Sequence, residues 1–240
     1  MKKLVVSTGA GVSAESGLST FRDAGGLWDK YPVMEVASHD GFVKNPALVH
    51  EFYNVRRREL LGVSPNAAHL GLKRLEDRFD VRIITQNVDD LHERAGSASV
   101  LHLHGELMKV RSMRREDRVY TLTPDNLETT PDTRDEYGDP VRPHIVFFQE
   151  AVPNFEKAVE LVRQADIFVV IGTSLNVYPA ASLLYYVRPG AKVYYIDPNP
   201  AAIPDGAGQV TVIARKATEG VAELARLLEQ ESCNQKIKEK

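Results

Sequence analysis

The chain has 240 residues, 43% hydrophobic and 26% charged, with a formal net charge of −3. That length suffices for one sizeable α/β domain with a small insertion, and the charge gives no reason to expect nucleic acid as a partner. No apolar run is long enough to cross a bilayer and no secretory leader is visible, and the lone Cys233 excludes an intrachain disulfide and a cysteine-based zinc site. The expectation is a cytoplasmic protein with no membrane partner and no bound metal.

In chain order, "KLVVSTGAG" reads as a short buried strand that breaks at glycines. Residues 32–63 read as helical, with "NPALVHEFYNVRRRELL" as the strongest segment. "SPNAAHLGLKRLEDRF" predicts a helix with Ser64 as cap and Pro65 in the first turn. "RFDVRIITQN" is a second strand, and "HLHGE" marks the end of another. Residues 108–142 are polar and proline-punctuated. "NFEKAVELVRQA", "AASLLYYV" and "ATEGVAELARLLEQ" read as helices around the strands "QADIFVVIGTS" and "GAKVYYIDPN". The final "ESCNQKIKEK" reads as a frayed tail. No internal repeat is present.

Strands that alternate with helices imply an α/β fold, a Rossmann-like doubly wound parallel sheet. Residues 1–31, 64–107 and 143–232 are assigned to that domain. Residues 32–63 and 108–142 form a small inserted lobe, and 233–240 a tail. Ligands of such sheets lie at the carboxyl ends of the strands. "STGAG", "TQNVDD", "HLHGE", "IGTS" and "YIDPN" should therefore converge on one crevice.

"GAGVSA", residues 9–14, fits G-x-G-x-x-G/A between a strand and a helix. Gly9 and Gly11 would let the backbone approach a pyrophosphate. A tight turn that needs glycine explains the same pattern. No acidic residue stands at the usual distance for the ribose, because Asp23 and Asp29 fall in a loop. Asp197, at the end of "VYYID", is better placed for that role. His102 and His104 alternate along a strand and would share a face. A metal pair would need a third ligand, and His92 is the only histidine near enough in sequence.

The blocks "GAGVSAESGLSTFRDAGGLW", "TQNVDDLHERAG", "HLHGE", "RPHIVFFQE" and "GTSLNVYPA" occur in this order. Together they resemble the signature blocks of the sirtuins, the NAD-dependent protein-lysine deacylases. The resemblance runs from about residue 4 to residue 229. It implies NAD across the crevice, attack of the acyl-lysine oxygen on the nicotinamide ribose, and release of nicotinamide and O-acyl-ADP-ribose. The implied partners are acylated protein lysines, and a monomer is the expectation.

By the same resemblance His104 is the general base, as an imidazole titrating near working pH can be. His102 becomes packing or support. Gln86, Asn87 and Asp89 match a Q-N-x-D block, with Asn87 orienting the ribose or a water and Asp89 receiving the nicotinamide carboxamide. "NVDD" would also serve as a helix cap. Gly9, Ala10, Gly11 and Ala14 line the cofactor loop, with Phe21 shielding the ribose and Arg22 anchoring a loop or phosphate. Gly172, Thr173 and Ser174 meet phosphates and ribose, and Asp197 and Ala217 flank the adenosine. Val146, Phe148, Asn176 and Val177 would hold the substrate, partly as an added strand.

Tyr53 and Arg56 stand at i, i+3 on one helix face. They resemble the Tyr-x-x-Arg pair of the branch that removes succinyl, malonyl or glutaryl groups. A buried acyl carboxylate needs a cation and donors, and this pair supplies both. A solvated basic face, continued by Arg57 and Arg58, is the competing explanation.

The chain departs from the family pattern in places. Ser112 and Arg115 stand where a first C-x-x-C pair is usual, and no cysteine precedes "RPHIV". Packing by Val119, Tyr120, Leu122 and Tyr137 is expected instead, with Arg114, Arg115 and Arg118 paired to Asp135 and Glu136. Phe148-Gln149-Glu150 replaces Phe-Gly-Glu, placing a side chain where peptide would dock. Asp197 stands where Asn is common, and Ser19 where Pro is. Beside the deacylase, three readings compete: a mono-ADP-ribosyltransferase, a non-catalytic NAD or ADP-ribose binding module, and a dehydrogenase.

Overall fold

The computed structural model describes residues 1–19, 31–201, 203 and 208–238, with side chains up to residue 231. Among these, the main sheet has six parallel strands: β1 (Lys3–Thr8), β2 (Asp80–Thr85), β3 (Val100–His102), β7 (Ile167–Ile171), β8 (Lys192–Ile196) and β9 (Val210–Ile213). Their order is β3-β2-β1-β7-β8-β9. The order reverses between β1 and β7, which makes the carboxyl ends of those two strands the switch point where ligands bind.

Alternation along the strands feeds two cores. Leu4, Val6, Val169 and Ile171 face one side, with helices α5 (Ala67–Leu75) and α8 (Ala217–Lys238). Val5, Phe168 and Val170 face the other, with α7 (Phe155–Arg163) and the 3₁₀ segment Ala180–Tyr186. Both faces are covered, as the apolar runs of β1 and β7 require.

Helices α2 (Val33–Val36), α3 (His39–Lys44) and α4 (Pro46–Leu61) form the helical part of the lobe. Strands β4 (Gly105–Ser112), β5 (Val119–Thr121) and β6 (Val141–Ile145) form an antiparallel sheet, ordered β5-β4-β6. The lobe thus takes in a few residues either side of 108–142. Short α1 (Gly11–Ala14) and α6 (Leu91–Arg94) follow the ends of β1 and β2.

Some local expectations change. The cap of α5 is Asn66 rather than Ser64: its Oδ1 accepts from Ala68 N, and its own N–H donates to His69 Nδ1. "AASLLYYV" winds as a 3₁₀ helix. The terminal segment continues α8 as far as Lys238 instead of fraying.

The lobe is held partly as expected: Tyr120 and Leu122 pack in its apolar cluster, and Arg118 Nη1 lies 4.0 Å from Asp135 Oδ2. Val119 and Tyr137 are exposed, and the apolar cluster is Val110, Leu122, Val141 and Tyr120. Arg114 and Arg118 share Asp139, at 3.4 and 3.3 Å, and Arg115 pairs locally with Asp117. Asp139 takes the role expected of Glu136 because the turn at 135–139 folds it inward, where Asp135 Oδ1 accepts its N–H. Buried Ser112 accepts the N–H groups of Arg114 and Arg115, so a hydroxyl shapes the turn. Glu150 binds Arg142 through both oxygens, at 2.5 and 3.1 Å, and Arg111 at 3.5 Å.

Arg57 is fully buried. Its Nε donates to Leu107 O at 2.9 Å, and its Nη1 donates to Asn54 Oδ1 at 2.8 Å and Thr129 Oγ1 at 3.2 Å. One side chain thereby ties α4 to β4 and to the loop before β6.

Candidate active site

The floor of the crevice is two strand-end turns packed backbone to backbone. Gly9 N donates to Ile171 O at 3.0 Å, and Gly11 N to Gly172 O at 2.9 Å. A Cβ on Gly9 would lie 2.7 Å from Gly172 O, and one on Gly11 would lie 2.7 Å from Gly172 Cα. Gly172 itself has φ +62°, a conformation glycine adopts without strain. The glycines therefore serve close packing of the two turns, and the room beside Gly9 and Gly11 is taken by residues 172–173. Ala10 is half-buried, while Ala14 is exposed at the end of α1.

Above this floor the end of β2 presents a buried polar chain. Asn87 Nδ2 donates to Ser13 Oγ at 3.1 Å, and Ser13 Oγ donates to Asp89 Oδ2 at 3.0 Å. Asp89 Oδ1 accepts from Leu91 N at 3.2 Å, so the same carboxylate also caps α6. Burial pushes its carboxyl above the usual range. Thr85 Oγ1 accepts from Asn87 N at 3.0 Å and from Thr8 Oγ1 at 2.9 Å, locking the ends of β1 and β2 together.

The histidines separate into distinct positions. β3 ends at His102, so His104 lies beyond the strand and the expected alternation stops there. His104 Nδ1 is 3.0 Å from Gln86 O. A carbonyl only accepts, so Nδ1 carries the hydrogen and Nε2 keeps its lone pair. Burial lowers the ring's pKa, so it is neutral at neutral pH. His92 is buried against Thr8 Oγ1 at 3.1 Å, and its ring meets His69 edge-on at 4.8 Å. Among the described residues no three His, Cys, Asp or Glu gather in a way that could hold a metal ion.

Gln86 Nε2 is 3.4 Å from Thr173 Oγ1, bridging the ends of β2 and β7. Ser174 is half-buried beside it. Asp197, half-buried at the end of β8, accepts from Asn199 N at 2.9 Å. Ala217 is buried as the first residue of α8, where Glu15 binds the N–H and hydroxyl of Thr218. Phe21 and Arg22 lie outside the described residues.

The basic run of α4 divides three ways. Arg58 is exposed and paired with Glu51 and Glu128, Arg57 is buried in the lobe, and Arg56 is half-buried. A uniform solvated face is excluded. Arg56 lies 5.7 Å from the Phe52 ring and within electrostatic reach of Tyr53 and Asp89. Tyr53 is buried, stacks on Phe147 at 6.0 Å, and has its hydroxyl pKa pushed up to about 12 by burial. The pair thus places a cation and a neutral hydroxyl one turn apart on α4, with Asp89 within electrostatic reach of the cation.

The segments proposed to hold substrate are placed as follows. Val146 N donates to His104 O at 2.9 Å, so that N–H is spent inside the protein. Phe148 is 48% exposed, while its neighbour Phe147 is the buried ring. Gln149 adopts φ 77° and its amide donates to Asp40 Oδ2 at 2.8 Å. Leu175 adopts φ 55°, and residues 175–177, with Asn176 exposed and Val177 half-buried, form no strand. Sequence reasoning missed Ser13, Thr8, Thr85 and Glu93. Ser13 lies inside "GAGVSA", but a hydroxyl there is visible as a link to Asn87 and Asp89 only once β1 and β2 are adjacent.

A glycine-paced turn at a switch point, buried amide and carboxylate groups beside it, and a neutral imidazole with one free nitrogen define a dinucleotide-crevice α/β protein equipped for proton transfer. Comparison with known proteins narrows that class. The pattern of the Sir2 family matches residues 9–179, and the chain belongs to that family. A Bacteroides thetaiotaomicron protein named NAD-dependent protein deacylase is 56% identical over 231 residues, which cover 95% of this chain and 98% of that protein. A Helicobacter pylori protein of the same name is 54% identical over 200 residues, covering 83% and 86%. A Sir2 homologue solved in complex with NAD matches with a TM-score of 0.84 at 38% identity, over 96% of this chain and 90% of that one. A Sir2 solved with a deacetylated p53 peptide and 3′-O-acetyl ADP-ribose matches with a TM-score of 0.78 at 30% identity, over 93% and 92%.

Proposed function

We propose that this protein is an NAD-dependent protein-lysine deacylase that favours acyl groups ending in a carboxylate, succinyl and malonyl above acetyl. The observation that carries the chemistry is the contact between His104 Nδ1 and Gln86 O, which leaves Nε2 with its lone pair just beyond the carboxyl end of β3. The relatives named as NAD-dependent deacylases support the cofactor and the reaction class.

The residues present fit a dinucleotide: small side chains on the floor, neutral amides and hydroxyls on the walls, and Asp197 at a strand end where it can accept from ribose hydroxyls. Gln86, Thr173, Ser174, Asp197 and Ala217 would hold NAD. When bound, NAD supplies a ribose–nicotinamide bond that breaks to leave an electrophilic ribose carbon. Asn87 orients the ribose, and Asp89 accepts from the carboxamide. His104 Nε2 takes a proton from a ribose hydroxyl as acyl transfer begins. With one water consumed, nicotinamide, free lysine and O-acyl-ADP-ribose leave.

The acidic preference rests on Tyr53 and Arg56. A buried guanidinium beside a neutral phenol matches an acyl carboxylate and gives an acetyl methyl nothing to bind. The lobe needs no zinc on this account, because Arg57, Glu150 and Asp139 tie its parts together. The test is product analysis with NAD and a succinyl-lysine peptide. Nicotinamide and O-succinyl-ADP-ribose in equal amounts support the reading; NAD hydrolysis without acyl transfer contradicts it.

A further inference from the structure

Behind the ribose-side loop, His102 is buried between two acceptors. Its Nδ1 lies 3.0 Å from the backbone carbonyl oxygen of Asn87, and its Nε2 lies 2.8 Å from Glu93 Oε1. A carbonyl oxygen and an ionised carboxylate both only accept. A neutral imidazole has a single N–H and satisfies one of them. The two contacts are met together when the ring is an imidazolium.

We propose that His102, charged and held by Glu93, is a positioning residue: it pins the Asn87 carbonyl in the NAD crevice and releases it on losing its proton. This rests on the deacylase reading for its consequence, though not for its geometry. Asn87 is tied forward to Ser13 and through it to Asp89, while its backbone carbonyl meets the His102 ring on β3, alongside the Gln86 carbonyl held by His104 and the Val88 carbonyl held by Leu107 N. Asn154 Nδ2 donates to His102 O at 2.9 Å and fixes the histidine's own backbone.

The groups facing His102 favour its charge. Glu93 on α6 and Glu106 on β4 raise its pKa against the opposing effect of burial. Asp89 lies within electrostatic reach and gains from the positive ring. His92, also facing it, is held neutral by its own burial. When pH rises through the raised pKa, one N–H remains. The carboxylate is the stronger acceptor and keeps it, so the Asn87 carbonyl is the contact that is lost.

Two measurements test this. The first follows the ring nitrogens of His102 by ¹⁵N NMR in the protein without NAD, which decides the imidazolium whether or not deacylation occurs. Two protonated nitrogens at pH 6.5 are expected; a single protonated nitrogen there overturns the proposal. The second follows KM for NAD and kcat against pH. The parent's KM should rise by about tenfold above the raised pKa, the loss of one hydrogen bond to a charged donor, with kcat little changed. In Glu93→Gln the amide can donate to Nε2, leaving Nδ1–H for Asn87, and the alkaline rise should flatten. An alkaline rise unchanged in Glu93→Gln overturns the proposal. Should that variant fail to fold, the nitrogen shifts of the parent still decide.

Discussion

His104 and Gln86 are joined through a ring nitrogen and a main-chain carbonyl 3.0 Å apart, and this one contact settles which imidazole nitrogen is free. Burial lowers the pKa of that ring from 6.5, with the Gln86 carbonyl opposing. A base must be neutral to act. Its contribution is therefore complete above the lowered pKa and lost as pH falls through it. The acid limb of kcat/KM should lie below 6.5, since this ratio reports the free enzyme. His104→Ala should cut kcat by roughly 10²–10⁴-fold and leave NAD affinity, read by calorimetry, nearly unchanged.

Arg56 and Tyr53 make a separable prediction. Arg56→Met keeps much of the side-chain volume and removes the charge. It should lower kcat/KM on succinyl-lysine by about a hundredfold, the worth of a charge-assisted contact, and change acetyl-lysine turnover little. Tyr53→Phe removes a donor and keeps the stack on Phe147; about tenfold is expected on the same substrate. Equal losses on both substrates would show that the pair supports the fold and not the acyl carboxylate.

Gly11 faces Gly172 with no space for a side chain. Gly11→Ala puts a Cβ 2.7 Å from Gly172 Cα, against backbone that cannot rotate away. Overpacking of this kind costs about 1–3 kcal/mol. The melting temperature should drop and NAD binding should weaken with it, because the two turns form the crevice floor. Gly138, with open space around it, is the contrast: its φ of +80° strains an alanine, but the site is untouched.

Arg57 carries the prediction for the lobe. Its fully buried guanidinium, with its pKa lowered to about 10 by burial, holds Leu107, Asn54 and Thr129. Arg57→Leu removes the buried donor shared by Leu107 O, Asn54 Oδ1 and Thr129 Oγ1, at a cost of about 3 kcal/mol in denaturant unfolding. A strong chelator should leave the melting temperature of the parent unchanged, and elemental analysis should find less than stoichiometric zinc.

The sheet was legible in the sequence because buried parallel strands announce themselves as apolar runs ending in small residues, as "KLVVSTG" and "DIFVVIG" do. The family blocks placed Asn87, Asp89 and His104 at strand ends. The lobe was less legible. Nothing local in "RRR" separates Arg56, Arg57 and Arg58, because their fates depend on which turn of α4 meets β4 and the 127–129 loop. Asp139 was passed over for Glu136 because a turn decides which carboxylate points inward. The packing partner of Gly9 and Gly11 was not legible: it is Gly172, some 160 residues away in the chain, and no local pattern reveals it.

The most direct measurement is a competition between succinyl-lysine and acetyl-lysine peptides of one sequence, with NAD, read by mass spectrometry, with His104→Ala as control. The account predicts faster loss of the succinyl group, matching amounts of nicotinamide and O-succinyl-ADP-ribose, and turnover in the variant cut by roughly 10²–10⁴-fold. Equal or faster loss of acetyl would contradict the assignment of Tyr53 and Arg56, and undiminished turnover by His104→Ala would contradict the base itself.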